Sequence, residues 1–224
     1  MIQARESAAQ VRAGAYFDVD ETLTLGITIF DFMLFDAAVD GRIKLASDFL
    51  RDLRQMKESG KSRETVNRHY FTWWAGRDAG ELHSRVRQWF DRREATAYRQ
   101  VVCKRLRALK TEGYRVVLVS AGLDEIVRHV AMELGADDVI CTQLECEEGV
   151  YTGRVKRPMV GAAKQVAVKL HLRAYALNGT ESYAFGDHLS DLEMLEAVGN
   201  PVAVATGVND TFVAVARGRN WEII

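Results

Sequence analysis

The sequence predicts an α/β protein: a parallel sheet of βαβ units, interrupted after its first strand by an all-helical insertion. Three observations carry this expectation. Short apolar, often β-branched runs alternate with helix-like stretches through most of the chain, the pattern of parallel strands joined by crossover helices. Residues 27–93 break the alternation with helical patterns and no convincing strand. Only two prolines, Pro158 and Pro201, occur in 224 residues, which leaves long stretches free to be helical.

Taken in order, Ala15–Val19 (AYFDV) reads as a buried strand that runs into a cluster of carboxylates. The insertion follows with helical patterns at Ile27–Val39, Ile43–Lys57, Glu64–Trp74 and Ala79–Phe90, punctuated by Gly41, Gly60 and Gly76. Trp73, Trp74 and Trp89 lie there, and read as helical core more readily than as a substrate cage. Glu94–Lys110 places Val101, Val102, Leu106 and Leu109 near helical spacing, with Gly113 as a stop. Arg115–Val119 (RVVLV) is a second strand, followed by Ser120-Ala121-Gly122. Leu123–Leu134 sets Ile126, Val127, Val130 and Leu134 on one helical face. Val139–Cys141 reads as a short third strand, and Gln143–Glu147 with Val150–Val155 as a hairpin turning at Glu148-Gly149. A helix over Val160–Leu172, a strand over Ser182–Phe185, a helix over Leu189–Val198 and a strand over Val202–Val204 complete the pattern. The expected division is a core of residues 1–26 and 94–224 around a helical domain of residues 27–93.

Composition narrows the function classes. The chain is 48% hydrophobic and 27% charged, the balance of a folded domain with a substantial core. A formal net charge of −1 gives no global field to attract nucleic acid or an anionic membrane. Apolar runs fall short of the roughly 20 residues of a membrane span. The first 21 residues lack the apolar segment of a secretory signal. Cys103, Cys141 and Cys146 are odd in number and match no zinc spacing, so reduced thiols and a cytoplasmic setting are expected. They read as ordinary small apolar residues.

Parallel sheets place their sites at the carboxyl ends of the strands. The sharpest signal is Asp18-Val19-Asp20-Glu21-Thr22, directly after the first strand. Alternation puts Asp18 and Asp20 on one side, where two carboxylates need a cation or a shared proton to coexist. Mg²⁺ prefers such hard oxygen ligands, although a bare acidic turn is the commoner meaning of the pattern. Three further features sit at strand ends. Ser120 and the neighbouring N–H groups can hold a phosphate, or Ser120 can simply cap a helix. Lys164 follows Gly161 at a helix start, a place where lysine is usually solvated. Gly186-Asp187-His188-Leu189-Ser190-Asp191 offers two more acids at a tight turn, which also suits an ordinary helix start. Each bland reading stands alone, but four such features in this order do not arise by coincidence.

The order Asp-Val-Asp-Glu-Thr, Ser-Ala-Gly, Lys, Gly-Asp-x-x-x-Asp resembles the four motifs of the haloacid dehalogenase (HAD) superfamily. The helical insertion after the first motif resembles the type C1 cap of phosphoserine phosphatase-like enzymes. The resemblance spans the chain. It implies a Rossmann-like core of a parallel sheet between helix layers, with the hairpin beside Lys164, and residues 27–93 as the cap.

By the same resemblance, Asp18 is the nucleophile that forms an aspartyl-phosphate, and Asp20 is the general acid and then base. Ser120, Ala121 and Lys164 bind the phosphoryl group, while Thr22, Gly122 and Asp191 support the site. Mg²⁺ is the implied cofactor, held by Asp18, Asp187 and the backbone carbonyl of Asp20. This division is chemically coherent: a carboxylate attacking a phosphate dianion needs metal and lysine to offset charge repulsion, and one acid/base can serve both steps. The second aspartate separates the chain from the dehalogenases, which lack that group.

The expected activity is therefore Mg²⁺-dependent hydrolysis of a small phosphorylated metabolite, with no nucleic-acid partner and no membrane span. A phosphotransferase passing the phosphoryl group to an alcohol is the alternative that sequence leaves open. A phospho-accepting receiver-like domain is disfavoured by Asp20 and the insertion, and a dead binding protein by the full set of motif residues. Phosphoserine is not the expected substrate. In phosphoserine phosphatases a glutamate nine positions after the nucleophile receives the substrate ammonium, and that count from Asp18 lands on Ile27. Their cap arginine has no clear counterpart in the aromatic stretch His69–Trp74, although Arg68 and Arg77 are candidates. Arg51, Arg54, Arg63, Arg85, Arg87, Arg92 and Arg93, like those two, otherwise read as solvated helix faces. His188 reads as a bystander more readily than as a substrate contact. Arg154, Lys156 and Arg157 either face the cleft or do not.

Overall fold

The computed structural model describes residues 12–92 and 97–224. Arg93, the expected 93/94 boundary, the start of the helix read from Glu94 and most of the stretch read for a secretory signal lie outside the described residues.

The central strand is β1, Gly14–Phe17, buried along its length between β2 (Arg115–Leu123) and β5 (Tyr183–Gly186). A strand covered on both faces and both edges reads as a continuous apolar run rather than an alternating one. Both pairings are parallel, with Phe17 opposite Leu118 on one side and Phe185 on the other. Beyond β5 lie β6 (Asn200–Ala203) and β7 (Glu222–Ile223), also parallel. Beyond β2 lie β3 (Asp138–Glu147) and β4 (Val150–Arg157), and the sheet order is β4-β3-β2-β1-β5-β6-β7.

Helices cover both faces. Ala15 and Phe17 pack with α5 (Gln100–Thr111), α6 (Asp124–Leu134) and the helical insertion, whereas Tyr16, Val117 and Val119 pack with α7 (Ala162–Ala174), α8 (Leu192–Leu195) and α9 (Asp210–Gly218). The alternation of strand side chains thus divides the core into two layers. The insertion between β1 and α5 consists, among its described residues, of helices joined by turns and the isolated bridges Thr24–Tyr98 and Asp78–Val150: α1 (Thr28–Val39), α2 (Ile43–Glu58), α3 (Arg63–Phe71), a 3₁₀ turn at Thr72–Trp74 and α4 (Ala79–Phe90).

Several local expectations change. The strand read at Val139–Cys141 and the first arm of the hairpin are one strand. The first half of β3 pairs parallel with β2 through Thr142, and its second half, from Gln143, pairs antiparallel with β4. The turn at Glu148-Gly149 has both residues at positive φ (50° and 83°), the geometry that suits a two-residue hairpin. The helix read over Leu189–Val198 is only a 3₁₀ turn at Leu189–Asp191 and the single turn of α8, because the first turn is shaped by side-chain bonds from His188 and Asp191. The sequence reading did not anticipate α9 or β7.

The insertion has its own polar centre. Asp36 on α1 is fully buried and meets Arg77, Arg85 at 3.3 Å and Arg42 at 3.5 Å; Asp40, one turn on, meets the same three at 2.8–3.1 Å. Arg77 and Arg85 are only 21% and 20% exposed, so they are not the solvated residues the sequence suggested. Burial pushes the Asp36 carboxyl above its ordinary value even among the arginines. Removing one member of such a group leaves the others uncompensated. Asp36→Ala should therefore destabilise the protein by about 3 kcal/mol, read as a lower urea midpoint at unchanged slope. Trp74 and Trp89 are buried and meet Phe32 at ring-centroid distances of 5.3 and 5.7 Å, while Trp73 packs on Phe49 beneath the Arg42 guanidinium. These indoles are packing residues.

Candidate active site

Asp18 extends the ladder of β1 by one bond, its N–H donating to the Phe185 carbonyl at 2.9 Å. This fixes its carboxylate at the carboxyl edge of the two central strands. The chain then turns tightly, with Leu23 and Thr24 N–H both donating to the Val19 carbonyl and Glu21 at φ 63°. The turn redirects Asp20 toward the insertion. Its Oδ1 accepts from the N–H and the hydroxyl of Thr28, each at 2.7 Å, at the first residue of α1. Thr22 points back to the core and donates to Asp187 at 2.9 Å.

Lys164 is 3% exposed, and its Nζ donates to Asp18 at 2.5 Å and to Asp191 at 2.6 Å. The solvated-lysine reading is thereby excluded. Oxygens of Asp18, Asp187 and Asp191, all buried, lie within 4.8 Å of one another. Gly186 is required here, since a Cβ would stand 2.7 Å from that of Asp191. Asp191 also accepts from the His188 N–H at 3.2 Å, and the His188 ring caps the same turn through Ser190 N–H.

Ser120 lies inside β2, not at a helix start. A bulge between Ser120 and Leu123 carries Ser-Ala-Gly past the sheet, and α6 begins only at Asp124 with no side-chain cap. The Ser120 hydroxyl accepts from Gly122 N–H at 3.0 Å. The Ala121 carbonyl accepts from Thr142 and from Asn67 of α3, each at 3.1 Å.

The electrostatics follow from burial. Desolvation pushes the carboxyls of Asp18 and Asp187 well above their ordinary range, with Lys164 opposing it at Asp18 and neighbouring acids adding to it at Asp187. Asp191 goes the other way: burial opposes its ionisation, but Lys164 and Arg63 outweigh that. Burial also raises Asp20, against the two Thr28 bonds. Lys164 stays charged because its two acid partners outweigh its own burial. Three acids share one lysine, so they cannot all ionise together without a further positive charge. Their hard oxygen donors suit a small divalent cation, and Asp18, Asp187 and Asp191 are the side chains that can hold it.

The structure therefore gathers Asp18, Asp187 and Asp191 into one carboxylate cluster, with Lys164 bonded to Asp18 and Asp191, Thr22 bonded to Asp187, and Ser120, Ala121 and Gly122 on the adjoining strand end. The Asp20 carboxylate is not in the carboxylate cluster but at its margin with α1. Asp191, read as supporting, is inside it.

Sequence reasoning missed three residues of α3 and α1. Arg63, exposed at the start of α3, is a cation of the insertion whose charge favours ionisation of Asp20 and Asp191 and, together with Lys57, disfavours that of His188. The two arginines singled out beforehand are engaged elsewhere, Arg68 by Glu64 and the Val155 carbonyl and Arg77 by Asp36 and Asp40. Asn67 and Thr28 are the others. The i, i+4 spacing of Arg63 and Asn67 was a legible sign of a shared face, but nothing local told which way that face pointed. Arg154 is tied to Glu145 and Glu147 on the hairpin. Cys103 and Cys141 are buried as expected, whereas Cys146 is exposed.

Comparison with known proteins places the chain in a family. The family model described as haloacid dehalogenase-like hydrolase matches residues 15–196. A probable phosphatase of Mycobacterium tuberculosis is 28% identical over 204 residues, 88% of this chain and 70% of that protein. A phosphoserine phosphatase of the same organism is 27% identical over 225 residues, 98% and 72% of the two chains. Among solved structures, a Bordetella pertussis Tohama I protein of unknown function superposes with a TM-score of 0.84 at 24% identity, covering 96% of this chain and 98% of that one. A phosphoserine phosphatase solved as a phospho-aspartyl intermediate analogue gives 0.65 at 20% identity over 95% and 92%. With four motif segments meeting at the carboxyl ends of one parallel sheet, the chain belongs to the haloacid dehalogenase-like hydrolases.

Proposed function

We propose that this protein is a Mg²⁺-dependent phosphatase of small phosphomonoesters, with residues 27–93 as a cap over the site. The observation that carries the reading is Lys164 buried between Asp18 and Asp191, with Asp187 completing a charged cluster beside Ser120. No helix among the described residues is long and apolar enough to cross a membrane.

The Asp18 carboxylate attacks phosphorus, forming an acyl phosphate as the P–O bond to the alcohol breaks. Asp20, at the border with the cap, donates its proton to the departing alkoxide. It then takes a proton from the water that releases inorganic phosphate and restores Asp18. Lys164, the Ser120 hydroxyl and backbone N–H groups of the Ser-Ala-Gly bulge hold the phosphoryl oxygens. Mg²⁺ bound by the acidic cluster supplies positive charge against the repulsion between nucleophile and phosphate. Thr28 keeps the Asp20 carboxyl directed at the leaving side.

Phosphate release from a panel of phosphomonoesters, with and without Mg²⁺, tests the reading. Asp20→Asn should lose about a hundredfold or more on alkyl phosphates and far less in the first step on aryl phosphates, whose leaving groups need no proton. Equal losses on the two would remove Asp20 from the leaving-group role.

Ile27 sits at the start of α1, partly buried against the core cluster, and offers no acceptor for an ammonium group. Arg63 supplies a cation for an anionic leaving group, so the favoured substrate carries a negative charge beyond its phosphate and no ammonium. A metabolite so charged should exceed phosphoserine in kcat/KM by about a hundredfold. Phosphoserine as the best substrate would refute the reading of Ile27.

A further inference from the structure

The proposed reaction leaves one polar atom beside the site unused. Asn67 on α3 is 9% exposed. Its Nδ2 donates to the Ala121 carbonyl at 3.1 Å, and because a carbonyl only accepts, this bond fixes the orientation of the amide. The other end of the amide, Oδ1, is buried and meets no hydrogen-bond partner. Buried acceptors are normally satisfied, and this one, left open beside the Ser120–Gly122 bulge, is a place where a ligand can complete the bond.

The surroundings say which part of a ligand that is. Arg63 and Tyr70 flank Asn67 at i−4 and i+3 on the same helical face. The Tyr70 hydroxyl donates to the Ile29 carbonyl at 2.7 Å, and Ile29 follows Thr28, the residue that holds Asp20. Through Asn67 and Tyr70, α3 thus touches the Ser120–Gly122 bulge on one side and the start of α1, which holds Asp20, on the other. A phosphoryl group held at the bulge, with its ester oxygen at Asp20, directs the carbon chain of the alcohol toward this face of α3.

We propose that Asn67 is a specificity-determining residue whose Oδ1 accepts a hydrogen bond from a hydroxyl on the leaving alcohol. The substrates selected are phosphomonoesters bearing a free hydroxyl within one or two carbons of the ester oxygen. This rests on the phosphatase reading above. Asn67 also couples selection to the phosphate loop, since the same side chain grips Ala121.

The test compares two substrates that differ by that hydroxyl alone, 3-phosphoglycerate and 3-phosphooxypropanoate, with p-nitrophenyl phosphate as a third. The wild-type protein should favour the hydroxylated compound by at least about tenfold in kcat/KM. Asn67→Ala should bring the ratio to within about twofold of one, chiefly by loss on the hydroxylated substrate. Asn67→Thr, which keeps a small polar side chain, serves if the alanine variant does not fold. A merely structural role for the Ala121 bond would lower both substrates together and leave the ratio standing, and that result overturns the proposal. So does a wild-type ratio near one, which needs no variant. Failure of all three substrates with Mg²⁺ overturns the phosphatase reading and this proposal with it, whereas hydrolysis without preference overturns this proposal alone.

Discussion

Asp18→Asn should abolish turnover while leaving the protein folded. The substitution keeps shape and volume but removes the attacking charge, and an amide oxygen is a poor nucleophile toward phosphorus. We expect a loss of at least about a thousandfold in phosphate release. Stability should move in the other direction. The Asp18 carboxylate is held within 4.8 Å of two other buried acids, and desolvation already disfavours its charge. Neutralising one member of a crowded acidic group relieves repulsion, so thermal unfolding without Mg²⁺ should occur at the wild-type temperature or above it. Lys164 keeps Asp191 as a partner, at 2.6 Å, and is not orphaned. A variant that retains more than about a hundredth of the wild-type rate would show that another group attacks phosphorus.

Removal of divalent cations should be equally complete in its effect. After dialysis against EDTA the protein should release no phosphate, and Mg²⁺ should restore activity. Ca²⁺ should inhibit, because it takes more oxygen ligands at longer distance and engages Asp18 in a pose that cannot attack. A second readout is independent of catalysis. A cation that binds only the folded state raises its unfolding temperature by mass action. Mg²⁺ should therefore stabilise the wild-type protein, and stabilise Asp187→Asn much less. Full activity in EDTA, or no thermal shift with Mg²⁺, would remove the metal from the acidic cluster.

Much of the site was legible before the fold was known. Asp18 and Asp187 follow a strand, Lys164 follows a glycine and Ser120 ends the apolar run of β2, all near the edge where a parallel sheet ends, and such edges are visible as the last β-branched or aromatic residue of an apolar run. The bland alternatives failed for reasons no local pattern contains. Lys164 is buried because Asp18 and Asp191, distant in sequence by 146 and 27 positions, meet its ammonium from two other strand ends. Ser120 is not a helix cap because a bulge in β2 extends the strand through Leu123. Bulges are set by pairing with a neighbouring strand, here β3, and leave little mark in composition.

The misread elements share that origin. Asp138–Glu147 was divided in two because its two halves pair with different partners, one parallel and half-buried to buried, one antiparallel and half-buried to exposed, so its apolar pattern changes midway. Arg77 and Arg85 looked solvated because arginine usually is. Their partner Asp36 lies 41 and 49 positions away on another helix, and only helix packing brings them together.

The sequence by itself determined the layered α/β class, the helical insertion and the acid, serine and lysine positions of the motifs. These are properties of apolar periodicity and of residue types at strand ends, both readable within a window of a few residues. Tertiary structure alone decided which acids gather in one carboxylate cluster, that the Asp20 carboxylate belongs to the border with α1, and that Asn67 rather than Arg68 or Arg77 bonds the Ser-Ala-Gly bulge. Helical periodicity defines a face but not the direction in which packing turns it. That direction is chosen by contacts between segments far apart in the chain, and here it is what distinguishes Asn67, turned to the sheet's carboxyl edge, from Arg77 and Arg85, which hold the insertion together.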